Sequence, residues 1–479
     1  MRDYVTACLD DICTITMGQS PPSSAYNSKQ KGLPFFQGKA EFTELHPVTV
    51  KWCTESNKIA YANDILLSVR APVGTTNIAD QKCCIGRGLA ALRYIHCYKF
   101  LFYYLRLIEK KLDEKGTGTT FRAISGDVLR NYPIGLPPLP EQRAIVAKLE
   151  QLFSELDNGI ACLKKAQEQL KVYRQAVLKQ AFEGELTKAW REQQTSLPSA
   201  QELLDNIKTE REQAAKLQGK KLKPIIPLTQ AELDDLPKLP VGWKWVKLSD
   251  FNHILGGVTK GRKLAGKKTI NLPYLRVANV QAGYLNLKEI KEITVLESDL
   301  DRYRLCFGDI LYTEGGDKDK LGRGTVWRNQ IENCIHQNHI FRARPISRNT
   351  VSEFVAYYSQ TKSAKDYFYS NAKQTVNLAS INLSVLSRLP FPFCSPQEQH
   401  QIIQEIETRL SVCDNMEATI RESLEKAEAL RQSVLKKAFE GKLLSKEELQ
   451  ITRNAPDWEP AEKLLERIRA EKRTASNKH

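Results

Sequence analysis

The sequence predicts an α+β protein built twice over. Two mixed α/β modules are separated by two long helices that run antiparallel as a coiled coil, the whole forming an internal pseudo-two-fold repeat. Three observations predict this. The chain repeats itself at a shift of 257 residues, the repeated segments carry apolar residues at every seventh position, and the positive charge gathers in two separate blocks.

Residues 141–186 align without gaps on residues 398–443 with 19 of 46 positions identical, where chance gives roughly three. The same register reaches back to Ile124 and Ile381, Leu129 and Leu386, and Pro133 and Pro390. A second echo relates residues 200–211 to residues 461–472. The order is therefore module, helix, tail, then module, helix, tail. That period is too long for a solenoid, and it suits two copies sharing a symmetric role.

The stretch Pro137-Pro138-Leu139-Pro140 cannot continue a helix, and Glu141 then opens one with an acid in its first turn. Leu149, Leu156, Leu163, Leu170 and Val177 form one heptad ladder; Ile145, Leu152, Gly159, Ala166 and Tyr173 form the other. That is a coiled-coil seam, and Gly184 is its natural C-terminal cap. The second copy starts after Ser395-Pro396 and runs to Gly441. Its ladder of Ile406, Cys413, Ile420, Ala427 and Val434 is weaker, with Arg409 and Ser423 on the other row. Ile403, Leu410 and Leu424 broaden its apolar face, which is expected to serve a partner. The helix-packing set is Leu149, Leu156, Leu163, Leu170, Val177, Ile406, Ile420 and Val434.

The expected division is a first module at 1–140, a first long helix at 141–186, and a linker at 187–240 with a short helix over 201–216. A second module at 241–395, a second long helix at 396–443, and a tail at 444–479 with a short helix over 459–473 complete it. The linker also carries an extended Lys223-Pro224-Ile225-Ile226-Pro227 strap.

The chain's 479 residues carry a net charge of +15. Residues 1–133 hold +5 of it and residues 241–390 hold +10, so the excess lies in the modules and the remainder is near neutral. Two basic modules on a neutral frame fit two polyanion contacts. The apolar run at 100–108 is broken by Arg106 and falls short of the ~20 residues of a membrane span. Met1-Arg2-Asp3-Tyr4 opens no signal peptide, so a cytoplasmic location without membrane contact is expected. The eleven cysteines include no CxxC pair, which points to reduced thiols. His336 and His339 have the spacing of two ligands on a helix, but nothing supplies the rest of a metal site.

Both modules read as short strands. Leu33-Pro34-Phe35-Phe36 parallels Leu272-Pro273-Tyr274-Leu275, and Asp64-Ile65-Leu66 parallels Asp309-Ile310-Leu311. A polar loop near each module's end, 116–122 and 372–377, forms a third pair. The clusters suited to nucleic acid in the first module are Lys39, Arg70 with Thr75 and Thr76, and Thr117, Thr119 and Arg122. In the second they are Lys260, Arg262 and Lys263, Arg276 with Asn279, and Lys318, Lys320 and Arg323. Arginine and lysine pair with guanine edges and asparagine with adenine, while hydroxyls and glycine turns meet phosphates.

Motifs for chemistry are missing from the sequence. It holds no GxxxxGK[ST] loop, no Asn-Pro-Pro-aromatic segment of amino-methyltransferases, and no cofactor finger, since Gly256-Gly257 precede a basic loop. A non-catalytic DNA-binding chain is expected. The alternatives are a stand-alone DNA methyltransferase or nuclease, and a coiled-coil scaffold without DNA specificity.

With these features together, the chain resembles the specificity subunits of type I restriction–modification systems over almost its whole length. The resemblance rests on Pro137-Pro138-Leu139-Pro140-Glu141-Gln142-Arg143, on 174–186, and on their copies at 396–399 and 431–443. Gly18-Gln19-Ser20-Pro21-Pro22 and Ser68-Val69-Arg70-Ala71-Pro72-Val73-Gly74 look like that family's first recognition domain. The resemblance implies two target-recognition domains, each reading half of a bipartite site in double-stranded DNA. It implies helices that dock two methyltransferase subunits, with restriction/translocase subunits joining them. It also implies no cofactor on this chain, S-adenosylmethionine, ATP and Mg being used by the partner subunits.

Overall fold

The computed structural model describes residues 4–118, 122–217, 219, 225–261, 263–316, 320–374 and 379–476. The chain forms two compact units, one from residues 1–164 with 421–479 and the other from 165–420.

In the first unit, strand Val5–Cys8 pairs antiparallel with Pro133–Leu136, bringing the module's two ends together before the long helix. The short helix Leu9–Ile12 follows, its entry held by the Cys8 amide donating to Asp11 at 2.8 Å. A four-stranded antiparallel sheet comes next, in the order Thr14–Met17, Leu89–Arg93, Ile65–Ser68, Thr76–Ile78. Alternation at period two explains its apolar strands. Ile65, Leu67, Ala90 and Leu92 bury into one cluster with helix Tyr98–Glu114, whereas Leu66, Leu89 and Ala91 bury into another with Phe36 and Ile85. Those last two lie on Leu33–Phe36 and Cys83–Ile85, which run parallel.

The second unit repeats the plan. Lys244–Lys247 pairs with Pro390–Phe393, and the short helix Leu248–Phe251 is entered by the Lys247 amide donating to Asp250. The four-stranded sheet has the order Asn252–Gly256, Ile340–Pro345, Ile310–Thr313, Gly324–Val326, again antiparallel throughout. Thr269–Leu275 and Ile335–His336 supply the parallel pair. Both sheets keep the same ion pair. Arg93 grips Asp64 through two bonds of 2.8 Å, and Arg344 grips Asp309 at 2.6 and 2.7 Å.

The long helices are Leu139–Phe182 and Pro396–Phe439, 44 residues each. The first begins two residues before Glu141. Pro140 falls in the first turn, where its missing N–H breaks no helical bond, and Gln142 already donates to the Pro138 carbonyl. The second opens on Ser395, whose hydroxyl accepts from the Glu398 amide at 3.3 Å. Both end as predicted, on left-handed glycines with φ of 77° at Gly184 and 66° at Gly441. The amides of Glu185 and Lys442 close back on the carbonyls of Gln180 and Lys437, the Schellman pattern. Of the predicted packing residues, Leu149, Leu170, Val177, Ile406 and Ile420 are buried; Leu156, Leu163 and Val434 are half-buried. Within the first unit Arg431 pairs with Asp157, and within the second Arg174 pairs with Asp414 at 2.6 Å.

The helix over 201–216 forms as Ala200–Leu217, and the tail helix as Ala461–Ser476. The tail belongs to the first unit: Leu464, Leu465 and Ile468 are buried in one cluster with Leu9 and Ile12. Ile225 to Pro227 of the strap take no regular structure, and Lys223 and Pro224 lie outside the described residues. One expectation is corrected. His336 ends a buried strand and His339 lies on the exposed turn after it, so the pair shares no helix. All eleven cysteines are free thiols, seven of them buried.

Candidate nucleic-acid interface

At one rim of each four-stranded sheet, separate chain segments lie side by side through backbone hydrogen bonds. In the first unit Gln19 donates to Ile85 (3.1 Å) beside the turn Gly86-Arg87-Gly88, and Val69 donates to the Gly88 carbonyl (2.9 Å). Arg70 then bridges to Ala123, and Ala123 exchanges two 2.9 Å bonds with Thr117. Five segments at strand spacing span about 19 Å, more than the ~12 Å width of a major groove.

The second unit builds the same rim from different side chains. Val258 donates to His336 (2.8 Å), Asn338 to Val258 (2.9 Å), and Glu314 to His339 (3.0 Å). Gly315 pairs with Ser380, and Ser380 with Lys373. Glycine is required where the first two segments meet. A Cβ on Gly18 would lie 2.2 Å from the Gly86 oxygen, and one on Gly257 2.1 Å from the His336 oxygen.

The rim gathers several predicted residues. Arg70, Thr117 and Arg122 are exposed on it, and the Arg122 guanidinium meets Asp113 at 3.0 Å. Lys39 is exposed on the short turn Lys39–Glu41. Lys260 is exposed just past Val258, its ammonium 5.0 Å from the centre of the Tyr274 ring. Lys263 and Lys320 are exposed. Thr119, Arg262 and Lys318 lie outside the described residues.

Other predicted residues are engaged in the fold. The Thr75 hydroxyl donates to Glu109 at 2.9 Å, and Thr76 is buried in its strand. Asn279 is buried: its amide oxygen accepts from the Arg276 backbone, and its nitrogen donates to the carbonyls of Asn286 and Glu289. Arg276 itself faces Glu289 at 3.3 Å. Thr75 and Arg323 hold the same place, each carbonyl receiving the last strand amide, Ser68 or Thr313. Arg323 is half-buried and donates to Gln281 at 2.6 Å. Thr76 and Asn279 are thus corrected to structural residues, because the Asn279 carboxamide is spent on backbone bonds and the Thr76 hydroxyl is buried.

As individual candidates, sequence reasoning missed Gln19, Arg87, Asn338 and Lys373, the last lying in the predicted polar loop 372–377. The one available signal was glycine on both sides of Arg87 between two apolar strands. Arg87 is exposed, and its guanidinium has no ion-pair partner among the described residues. Beneath the second rim, burial pushes the His336 imidazole down to about 4, and its Nδ1–H donates to the Ile340 carbonyl at 2.9 Å. It is neutral at pH 7 and brings no charge to the rim. Among the described residues no cluster of His, Cys, Asp or Glu is arranged for a metal ion, and no helix is long and apolar enough to cross a membrane.

Fold and rim together define a class: a duplicated α/β protein whose modules carry the same sheet-edge platform and each lead into a long helix. Residues 1–165 and 240–426 match the type I restriction modification DNA specificity domain, and the chain belongs to that family. It is 24% identical over 484 residues to the type I restriction enzyme EcoDI specificity subunit of Escherichia coli, covering 99% of this chain and 97% of that one. Local identity is higher, 42% over 176 residues, to the putative type I restriction enzyme MjaX specificity subunit of Methanocaldococcus jannaschii. That match covers 36% of this chain and 40% of the relative, so the chain aligns with less than half of MjaX. A crystal structure of the HsdS subunit from Thermoanaerobacter tengcongensis shares 47% identity over 38% of this chain and 45% of that one, with a TM-score of 0.32.

Proposed function

We propose that this chain is the DNA-recognition subunit of a type I restriction–modification complex, directing methylation and restriction to a bipartite target. The observation that carries the reading is the rim built twice, with one backbone and two sets of side chains. One scaffold with two surfaces suits two different half-sites. The recognition domains are residues 1–140 and 241–395, and exposed cations such as Arg70, Lys260 and Lys263 hold the DNA backbone.

The chain itself performs no catalysis. Methyltransferase subunits, two per chain, use S-adenosylmethionine, and restriction/translocase subunits use ATP and Mg, all in the cytoplasm. The long helices act as an antiparallel coiled coil within an internal pseudo-two-fold repeat. Reciprocal pairing supports this: Asp157 with Arg431 and Asp414 with Arg174 are one pair under the 257-residue shift, the signature of an isologous contact. The modules' entries match as well: Tyr4, just before strand Val5–Cys8, donates to Glu141 at 2.7 Å, and Trp243, just before Lys244–Lys247, donates to Glu398 at 2.8 Å.

The test is methylome sequencing of cells expressing this chain with its modification subunit. A two-part adenine-methylated motif that disappears when either subunit is omitted is expected. Robust methylation by the purified chain alone would refute the reading in favour of a stand-alone methyltransferase.

A further inference from the structure

The turn that precedes the sheet's second strand occupies the same place in both rims. In the first unit it is Gly86-Arg87-Gly88, and in the second Gln337-Asn338-His339. The equivalence is fixed by hydrogen bonds: Leu89 donates to Gly86 at 3.0 Å as Ile340 donates to Gln337 at 2.8 Å. Gly88 receives Val69 as His339 receives Glu314. Backbone is conserved between the two turns, and side-chain chemistry is not.

We infer that this turn is the base-reading turn of each unit, with Arg87 reading a guanine in one half-site and Asn338 an adenine in the other. The inference rests on the proposed DNA-recognition function and assigns its specificity-determining residues. A guanidinium fork matches guanine O6 and N7, and a carboxamide matches adenine N6 and N7. Readout of that kind needs a rigid base for the side chain, since ordering a mobile loop consumes binding energy.

Arg87 has such a base. Its own amide donates to the Ser20 hydroxyl at 3.2 Å, Gly86 donates to Phe36 at 2.8 Å, and Gly88 donates to Gln37 at 3.1 Å. Ser20 and the Gln37 amide bond to each other beneath it, at 2.8 Å. Two other arginines are differently placed: Arg122 of the same unit meets Asp113, and Arg276 of the second unit meets Glu289. Their guanidiniums are already engaged by carboxylates, whereas the Arg87 fork is free of one among the described residues. In the second unit Asn338 is held through its amide on Val258 at 2.9 Å, and its side-chain nitrogen lies 3.4 Å from the His339 ring. His339 in turn meets Glu314 at 2.5 Å. A carboxylate at this spot opposes a phosphate and tolerates the N6 amino donor of adenine.

The experiment selects bound sequences from a randomised DNA duplex library, using the full-length chain with its modification subunit. Wild type is expected to enrich a two-part motif. Arg87→Asn should lose preference for one guanine in one half-site, by roughly 5- to 150-fold, and leave the other half-site unchanged. Asn338→Arg should do the same at one adenine of the other half-site. Arg87→Lys keeps the charge and loses the fork, so it should relax the guanine position while keeping the slope of affinity against salt. It also carries the test should Arg87→Asn fail to fold. Variants that keep the wild-type preference at every position would overturn the inference, as would an equal loss of affinity on all sequences. A wild type that enriches no two-part motif defeats the DNA-recognition reading itself, which is a separate result.

Discussion

Asp64 and Asp309 show how single residues anchor each sheet. Each carboxylate is almost fully buried, takes two bonds from one arginine, and accepts the amide three residues before it, from Tyr61 or Cys306 at 2.7 Å. The acid ahead of each apolar strand is therefore a turn lock, a role its charge alone does not reveal. His336 gives a pH prediction at this scale. Its folded pKa of about 4 lies below the ordinary 6.5 because burial disfavours the imidazolium, with Arg342 and Arg344 adding to the effect. Between those values the unfolded chain binds the extra proton, so stability falls as pH falls through that window. His336→Gln removes this dependence. Urea unfolding at pH 7.5 and 4.5 should show wild type losing about 2–3 kcal/mol more than the variant between the two conditions. Equal losses would mean that His336 is not held neutral. Carboxylates common to both proteins titrate in both and cancel in the comparison.

Among elements, the long helices owe their limits to local chemistry and their anchoring to side chains far away in sequence. Glu398, in the first turn of the second long helix, is buried and accepts from the Thr187 hydroxyl (2.8 Å), Arg191 (2.5 Å) and the Trp243 indole (2.8 Å). Its charge also meets the positive end of the helix. Glu398→Ala should cost about 3–5 kcal/mol, because it leaves a largely buried guanidinium without its counter-charge, held among the described residues only by the Gly184 carbonyl, and an indole N–H without its acceptor. Hydrogen exchange should locate that loss at residues 187–191 and 243. A change below about 1 kcal/mol would show that water replaces the carboxylate there. Heptad and cap signals were legible because they are local. Pro140 was misjudged as a helix breaker because a first-turn proline sacrifices no bond. The first helix's seam at Leu156 and Leu163 is only half-buried, which heptad spacing cannot distinguish from a full core.

For the whole molecule, the proposal of independent reading makes a direct prediction. Replacing residues 241–390 with the corresponding recognition domain of a related subunit should change one half of the methylated motif and leave the other intact. Methylome sequencing of the chimaera reads this out; alteration of both halves would show that the units do not read separately. The repeat, the two basic blocks, the long helices and their glycine caps were determined by the sequence itself. Each rests on spacing, charge or backbone preference that acts between residues a few positions apart or between two copies of one pattern. The rim was decided only by tertiary structure. Gln19, Arg87, Arg70, Ala123 and Thr117 become neighbours through backbone bonds between segments up to about a hundred residues apart in the chain. Burial, likewise, is a property of the packed chain: it removed Asn279 and Thr76 from the candidate interface and left Arg87 exposed on it. Composition names the groups able to meet a base, and packing decides which of them remain free to do so.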